Sequence, residues 1–425
     1  MNYKFELQAS KAVRIRSLFA AVIPGEVARA QKVASLITAF VLLLAVPIAS
    51  AQAPTFRVLH QFNGAVGDGA NPEGALVQDA TGNLYGTTFA GGAGQGVVYK
   101  IDSSTGGETV LFTFDTFVSG ANPATPLLLD QTGDLFGIAD EGPGGAGVVF
   151  KVAQDGQENH LFDFQGGLGT NARVPSGGLV MDKFGNSFGT TLFGGPGSCT
   201  FGCGTVFRLD SAGTLHLRYR FSGGADGSKP SGPLVRDANG NLYGVATQGG
   251  DLSCPESPQS GCGTVFKLAN DGVFTVLHTF TGGADGAVPQ PGLLLDAAGN
   301  LYGAAARGGF NEHGTVFKIS KNGRYTILHR FGRKEGSNPN GGLVLDPAGN
   351  LYGTAQTGGA NNLGTVFELS AAGQLTVLHD FSGLDDGAFP LAGVIRDAAG
   401  HLFGTTVKNF LIQQVQGGNV FEITP

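Results

Sequence analysis

Apolar and polar positions follow one pattern along this chain, and the pattern returns seven times. Its clearest copy is GLVLDPAGNLYGTAQTGGANNLGTVFELS, residues 342–370. A short apolar run, GLVLD, ends in a turn signal, P-A-G-N tolerates turn geometry, and LYGTA resumes an extended pattern rich in aromatic and β-branched residues. The two runs predict a hairpin of strands a and b. After a glycine-rich loop, GTVFELS gives strand c, and A-A-G-Q leads into strand d, LTVLHDF. No part of the repeat carries a helical period. Successive apolar positions such as TVF and LVL suit sheets packed on both faces.

The aspartate closing strand a marks the register at Asp79, Asp130, Asp182, Asp237, Asp296, Asp346 and Asp397, in steps of 50 to 59 residues, with insertions in the longer steps. Four strands per unit of this length, joined by short links, predict a β-propeller blade. A solenoid coil uses fewer residues and leaves two ends to cap. Residues 55–62, TFRVLHQF, read as a strand d without a, b or c, and the C-terminal GNVFEITP reads as a strand c without d. The predicted fold is therefore all-β, a seven-bladed β-propeller of four-stranded blades, closed by the N-terminal strand pairing into the last blade. Closure leaves neither terminal sheet edge open.

The string D-x-x-G-N-L-Y-G-T-T stands whole at residues 79–88, a G-G precedes the loop, and G-T-V-F-K-L stands at residues 263–268. These features resemble the Gloeo/Verruco tandem repeat of exported or surface-bound bacterial proteins, the choice-of-anchor tandem repeat proteins, over residues 55–425. The resemblance implies a β-propeller-like exported protein. It transfers no activity residue by residue.

Composition sets the compartment. With 41% hydrophobic and 14% charged residues the chain is globular, and 72 glycines without a three-residue period point to many tight turns. Residues 35–49 form an apolar run behind Arg29 and Lys32, followed by Ala49-Ser50-Ala51, a small-x-small cleavage form. The run is short for a membrane span. We expect a signal peptide over residues 1–51, with an uncleaved anchor as the alternative, and a single propeller domain over 52–425. The C-terminal residues read as a strand, not as a sorting tail. The net charge is −7, and a leader holding six Lys/Arg and two Glu leaves −11 behind it. Such a balance repels phosphate backbones and anionic lipid heads, so nucleic acid is excluded as a partner. A secreted, periplasmic or cell-surface monomer without a membrane span is expected.

Cys199 and Cys203, and Cys254 and Cys262, fall at the same insertion site before strand c in two neighbouring repeats. The spacings lack the paired C-x2-C rhythm of a zinc knuckle, and an exported chain meets an oxidising compartment. Of three connectivities, the two local disulfides are expected.

The candidate chemistry is sparse. The seven aspartates ending strand a each precede a turn and read as local hydrogen-bond acceptors. His60, His278, His329 and His379 share one place in strand d with Phe112, Phe162 and Tyr219, which makes it a packing position. Asp68, Asp226, Asp285 and Asp386 stand in register in the loops before strand a. They read as Asp-Gly turns, with calcium as the alternative and no other cofactor. No G-x-S-x-G, H-E-x-x-H, Walker or Rossmann motif is found. His313, beside Glu312, is the one loop histidine with the form of a general base.

In an a-b-c-d blade the b–c and d–a loops emerge on one face. Here they hold every insertion, both cysteine pairs and NEH at 311–313, whereas the opposite turns are short and uniform. Variable loops on a rigid scaffold carry binding residues. The expected ligand face is built by residues 194–203, 249–262 and 307–313, with Asp226, Asp285, Asp386, Arg307, Glu312 and His313. The expected function is an exported binding scaffold for an extracellular glycan or protein. The alternative is an extracytoplasmic propeller enzyme, a sugar or lactone hydrolase or lyase, that uses loop carboxylates with or without calcium.

Overall fold

The computed structural model describes residues 53–424 except 66, 93, 116–117, 166–171, 196, 198, 256–259, 310 and 409–416. The expected signal peptide lies outside the described residues. The strands form seven antiparallel blades of a β-propeller. Among the described residues one short 3-10 turn, Gly283–Asp285, is the sole helical element, and no helix is long and apolar enough to cross a membrane.

The first blade holds Val77–Gln78, Leu84–Thr88, Val97–Ile101 and Glu108–Thr113 as strands a to d. The last holds Ile395–Arg396, Leu402–Thr406 and Asn419–Thr424, and its strand d is Thr55–Gln61 from the start of the chain. Pairing runs antiparallel from Thr55↔Thr424 to Gln61↔Asn419. Ring closure by the N-terminal strand, expected from the ends of the repeat, is what the structure has.

Two features recur in each blade and explain the register. The glycine of strand b faces the aromatic residue of strand c, as in Gly86↔Tyr99, Gly303↔Phe317 and Gly404↔Phe421. A Cβ on Gly303 would sit 2.6 Å from the tip of the Phe317 ring. The ring lies across its neighbour, and glycine supplies the space. The phenylalanine ending strand d then meets the strand c aromatic of the next blade edge to face. Examples are Phe114 on Phe150 at 5.0 Å, Phe280 on Phe317 at 5.4 Å and Phe331 on Phe367 at 5.1 Å. At the seam Phe62 meets Tyr99 at 4.9 Å. These rings are fully buried, and such pairs contribute about 0.5–1.5 kcal/mol beyond their area.

The second feature is a clasp between blades. A glycine with positive φ precedes each strand c, and the proline that opens strand a of the next blade packs its ring on it. A Cβ on Gly263 would lie 2.5 Å from Pro289 Cδ, and one on Gly418 2.6 Å from Pro72 Cδ. The residue before the proline adopts left-handed φ at Asn71, Asn122, Val174, Lys229, Val288, Asn338 and Phe389. Its N–H reaches back to the preceding blade, from Lys229 to Cys203 O at 2.8 Å, from Val288 to Cys262 O at 2.9 Å and from Asn338 to His313 O at 3.1 Å. Asparagine accepts this conformation readily, whereas valine is strained in it. Val288→Asn should therefore raise stability by about 0.5–1 kcal/mol, read as a higher urea midpoint at unchanged slope. A lower midpoint would show that its side-chain packing outweighs the strain.

The strand a aspartates behave as turn residues. Asp79 Oδ1 accepts the Asn83 N–H at 2.9 Å, and Oδ2 accepts the Asn83 amide at 2.7 Å and the Tyr85 hydroxyl at 2.9 Å. Asp237, Asp296 and Asp346 repeat this set. Burial opposes ionisation at Asp79, Asp130, Asp182, Asp237, Asp296 and Asp346, but the hydrogen bonds outweigh it and hold all six below the ordinary carboxylate value. A folded pKa below the unfolded one makes the contribution complete above about pH 4. It is lost as pH falls through the folded values. The contribution of these aspartates to the melting temperature should thus be constant from pH 7 to 5 and fall steeply below 4. Replacing Asp237 and Asp296 with Asn should flatten that fall.

Candidate functional site

The expected ligand residues separate into two groups. Asp226, Asp285 and Asp386 stand in different blades, and each is folded into its own d–a loop. Asp226 accepts the Ser222 N–H at 2.8 Å, the Ser222 hydroxyl at 2.5 Å and the Tyr219 hydroxyl at 3.0 Å. Asp285 takes the Thr281 N–H and hydroxyl at 3.1 and 2.7 Å and lies 3.3 Å from His278 Nε2. Asp386 takes the Ser382 N–H and hydroxyl at 2.8 and 2.6 Å and lies 3.0 Å from His379 Nε2. The strand d histidines also pack, His278 on Tyr325 at 3.7 Å and His379 on Phe56 at 3.8 Å.

Arg307 and Glu312 are brought together. With Pro255 and Asn338 they line an open cavity of about 560 Å³ on the b–c and d–a face. Glu312 Oε2 accepts the Gly308 N–H at 3.1 Å, which fixes the loop, and His313 Nδ1 lies 3.0 Å from Ser337 Oγ. The disulfides are Cys199–Cys203 and Cys254–Cys262, as expected. The carbonyls of Cys203 and Cys262 are clasp acceptors, so the bridges brace these loops against the next blade.

The structure adds a site that the sequence reading missed. The residue after each clasp proline turns to the propeller axis. Glu73, Ala124, Ser176, Ser231, Gln290 and Leu391 line one cavity of about 350 Å³, and the sixth blade's Asn340 instead donates its amide to Pro390 O. Glycine and proline form the wall beneath them. A Cβ on Gly292 would lie 2.6 Å from Gly342 N, so neighbouring blades meet there backbone to backbone. Asp140, at the end of strand b, completes the lining.

Two carboxylates thus share one side of the channel mouth. Burial, with the Asp140 charge adding, raises Glu73 above the usual carboxylate value. Burial, with Glu141 adding, lifts Asp140 to about 6. Shifted carboxyl groups in a cleft mark functional sites more often than chance. Near pH 6 the Asp140 carboxyl both donates and accepts hydrogen bonds, and Thr125, Ser176, Ser231 and Gln290 nearby are neutral hydrogen-bonding groups. A larger hollow, about 610 Å³, opens on the opposite face beside Asp79, Tyr85, Lys100 and Asp130. Its carboxylates are already spent on their own turns, which makes it the weaker candidate.

The sequence profile of the Gloeobacter/Verrucomicrobia repeat matches residues 48–256 and 253–425. No curated protein matches the chain. Among solved structures it is similar to a gluconolactonase of Xanthomonas campestris at 16% identity and TM-score 0.40, over 69% of this chain and 83% of that one. TolB of Acinetobacter baumannii follows at 13% and 0.40, over 66% and 58%. A further structure described as a gluconolactonase shows 16% and 0.38, over 65% and 80%.

Proposed function

The chain belongs to the Gloeobacter/Verrucomicrobia repeat family, and we propose that it is an exported propeller scaffold that binds a hydroxyl-rich ligand, the end of a glycan, at the mouth of its channel. One observation carries this reading. The residue after the clasp proline varies from blade to blade, faces the shared cavity in six of them, and supplies hydroxyl, amide and carboxyl groups there. The neighbouring cleft of Arg307 and Glu312 opens on the same face and extends the surface a longer chain would meet. Two disulfides support an oxidising compartment.

A glycan array probed with the purified protein tests the reading. Ligands bound by the parent should lose at least tenfold in affinity to Glu73→Gln with Asp140→Asn, with the melting temperature nearly kept. Arg307→Glu should weaken only longer ligands. Unchanged binding by the double variant, or loss caused only by changes beside Lys100 on the opposite face, would overturn the assignment. The raised Asp140 carboxyl favours one second reading, acid-assisted hydrolysis of a sugar or lactone. Turnover of bound ligands, abolished by Asp140→Asn while binding persists, would select it.

A further inference from the structure

We propose that His60, Asp68 and Glu108 form a binding site for a divalent transition ion of the zinc class at the seam where the ring closes. His60 belongs to the N-terminal strand Thr55–Gln61, Asp68 to the loop that follows it, and Glu108 to strand d of the first blade, Glu108–Thr113. His60 Nε2 lies 3.4 Å from Asp68 Oδ1 and 3.4 Å from Glu108 Oε2, and the three ligand atoms lie within 4.8 Å of one another. Bonds of about 2.0–2.2 Å to a tetrahedral ion place its ligands roughly 3.3–3.6 Å apart. Two edges of the triangle already have that length. One nitrogen and two carboxylate oxygens are a donor set that zinc-class ions accept, and the partly exposed histidine leaves the fourth position to water.

The other junctions show why this one differs. At the equivalent of Glu108 stand Tyr325, Leu375 and Phe56, so His278, His329 and His379 each meet one carboxylate and an apolar neighbour. His160 also meets two carboxylates, but through different ring nitrogens. His401 meets Asp397 and Glu422 through one nitrogen, and there Glu422 is held by Arg57 at 2.6 Å. Among the described residues no such cation answers the second carboxylate at the seam. The Glu108 side chain is 9% exposed, and its Oε1 has no hydrogen-bond partner. Tyr99, fully buried and within reach of the Glu108 charge, also leaves its hydroxyl unpartnered. Buried polar atoms without partners are rare, and a bound ion with its water is one way to satisfy them. Asp68 is oriented in advance, since its Oδ2 accepts the Asn63 N–H at 2.8 Å, which leaves Oδ1 for the ion. Burial chiefly, with the Asp68 charge adding, raises Glu108, and a cation between the two carboxylates removes that conflict.

Calorimetric titration of the chelator-treated full chain with zinc chloride tests the site, with thermal melts in parallel. One ion should bind per chain at micromolar concentration, and the melting temperature should rise by several degrees. His60→Phe places at the seam the residue that strand d carries at Phe112 and Phe162, so it should fold and melt like the metal-free parent yet lose both the heat and the shift. Glu108→Gln should weaken binding at least tenfold, while His379→Phe should leave it intact. No saturable zinc binding by the parent, binding kept by His60→Phe, or a response to calcium in place of zinc would each overturn the proposal.

Discussion

Deleting residues 53–62 should open the ring and remove cooperative unfolding. The segment supplies strand d of the last blade, pairs with Asn419–Thr424 along its length, and places Phe62 and Leu59 in the core that the first and last blades share. Arg57 binds Glu422 through two nitrogens, at 2.9 and 2.6 Å, and Phe56 stacks on His379 at 3.8 Å. Without them Val420 and Ile423, now fully buried, would face water beside an unpaired strand edge. Phe62→Ala alone should cost about 3–5 kcal/mol, so loss of the whole strand exceeds the stability of an ordinary domain. A broad melt and aggregation are expected. The control is a circular permutant that begins at Asn63 and joins Ile423 to Phe56 through a copy of residues 370–374, which connect Thr365–Leu369 to Leu375–Asp380 in the sixth blade. It should melt sharply within a few degrees of the parent. A truncated chain as stable as the parent would refute closure as a source of stability, and a permutant as damaged as the truncation would refute the pairing.

What the sequence could tell follows from how local each signal is. Blade number, strand order, the turn role of the strand a aspartates and the cysteine pairing rest on spacings of fewer than about sixty residues, and all were legible. The strand d histidines were legible as packing residues because phenylalanine replaces them. Their second role was hidden, since the loop carboxylate that answers each one lies six to eight residues away across a turn. The channel was the larger omission. Glu73 reads as one more loop residue until closure brings it into one cavity with Ser176, Ser231 and Gln290, which lie 103, 158 and 217 residues further along the chain. An alignment of the seven repeats on the clasp proline would have exposed that position. Asp140 offered no comparable signal, because the other blades place Gln248, Arg307 and Thr357 near the end of the same strand. The seam cluster was hidden for a similar reason: Glu108 stands where other blades carry Leu215, Phe274 or Tyr325, and a carboxylate there looks like a solvated strand end.

Gly263→Val should be the most damaging single substitution in the clasp. Gly263 holds φ at +92°, a conformation in which a β-branched residue costs roughly 1–3 kcal/mol by itself. Its new Cβ would also lie 2.5 Å from Pro289 Cδ and 2.6 Å from the Ala246 carbonyl oxygen. Neither neighbour is the end of a flexible side chain. The proline is held by Val288, whose N–H is bonded to Cys262 O, and Ala246 is paired to Thr264 in the blade's central ladder. Relief therefore requires the fourth and fifth blades to part, which would break the Phe280 N–H bond to Gly263 O as well. A loss of at least about 4 kcal/mol is expected. Gly272→Val is the matched comparison, because Gly272 has φ +95° but a Cβ there meets nothing within 4 Å. It should show the backbone strain alone, about 1–3 kcal/mol. Urea unfolding of the two variants at equal slope separates conformational strain from the collision between blades. Equal midpoints would mean that the proline clasp adds nothing beyond the backbone preference of glycine.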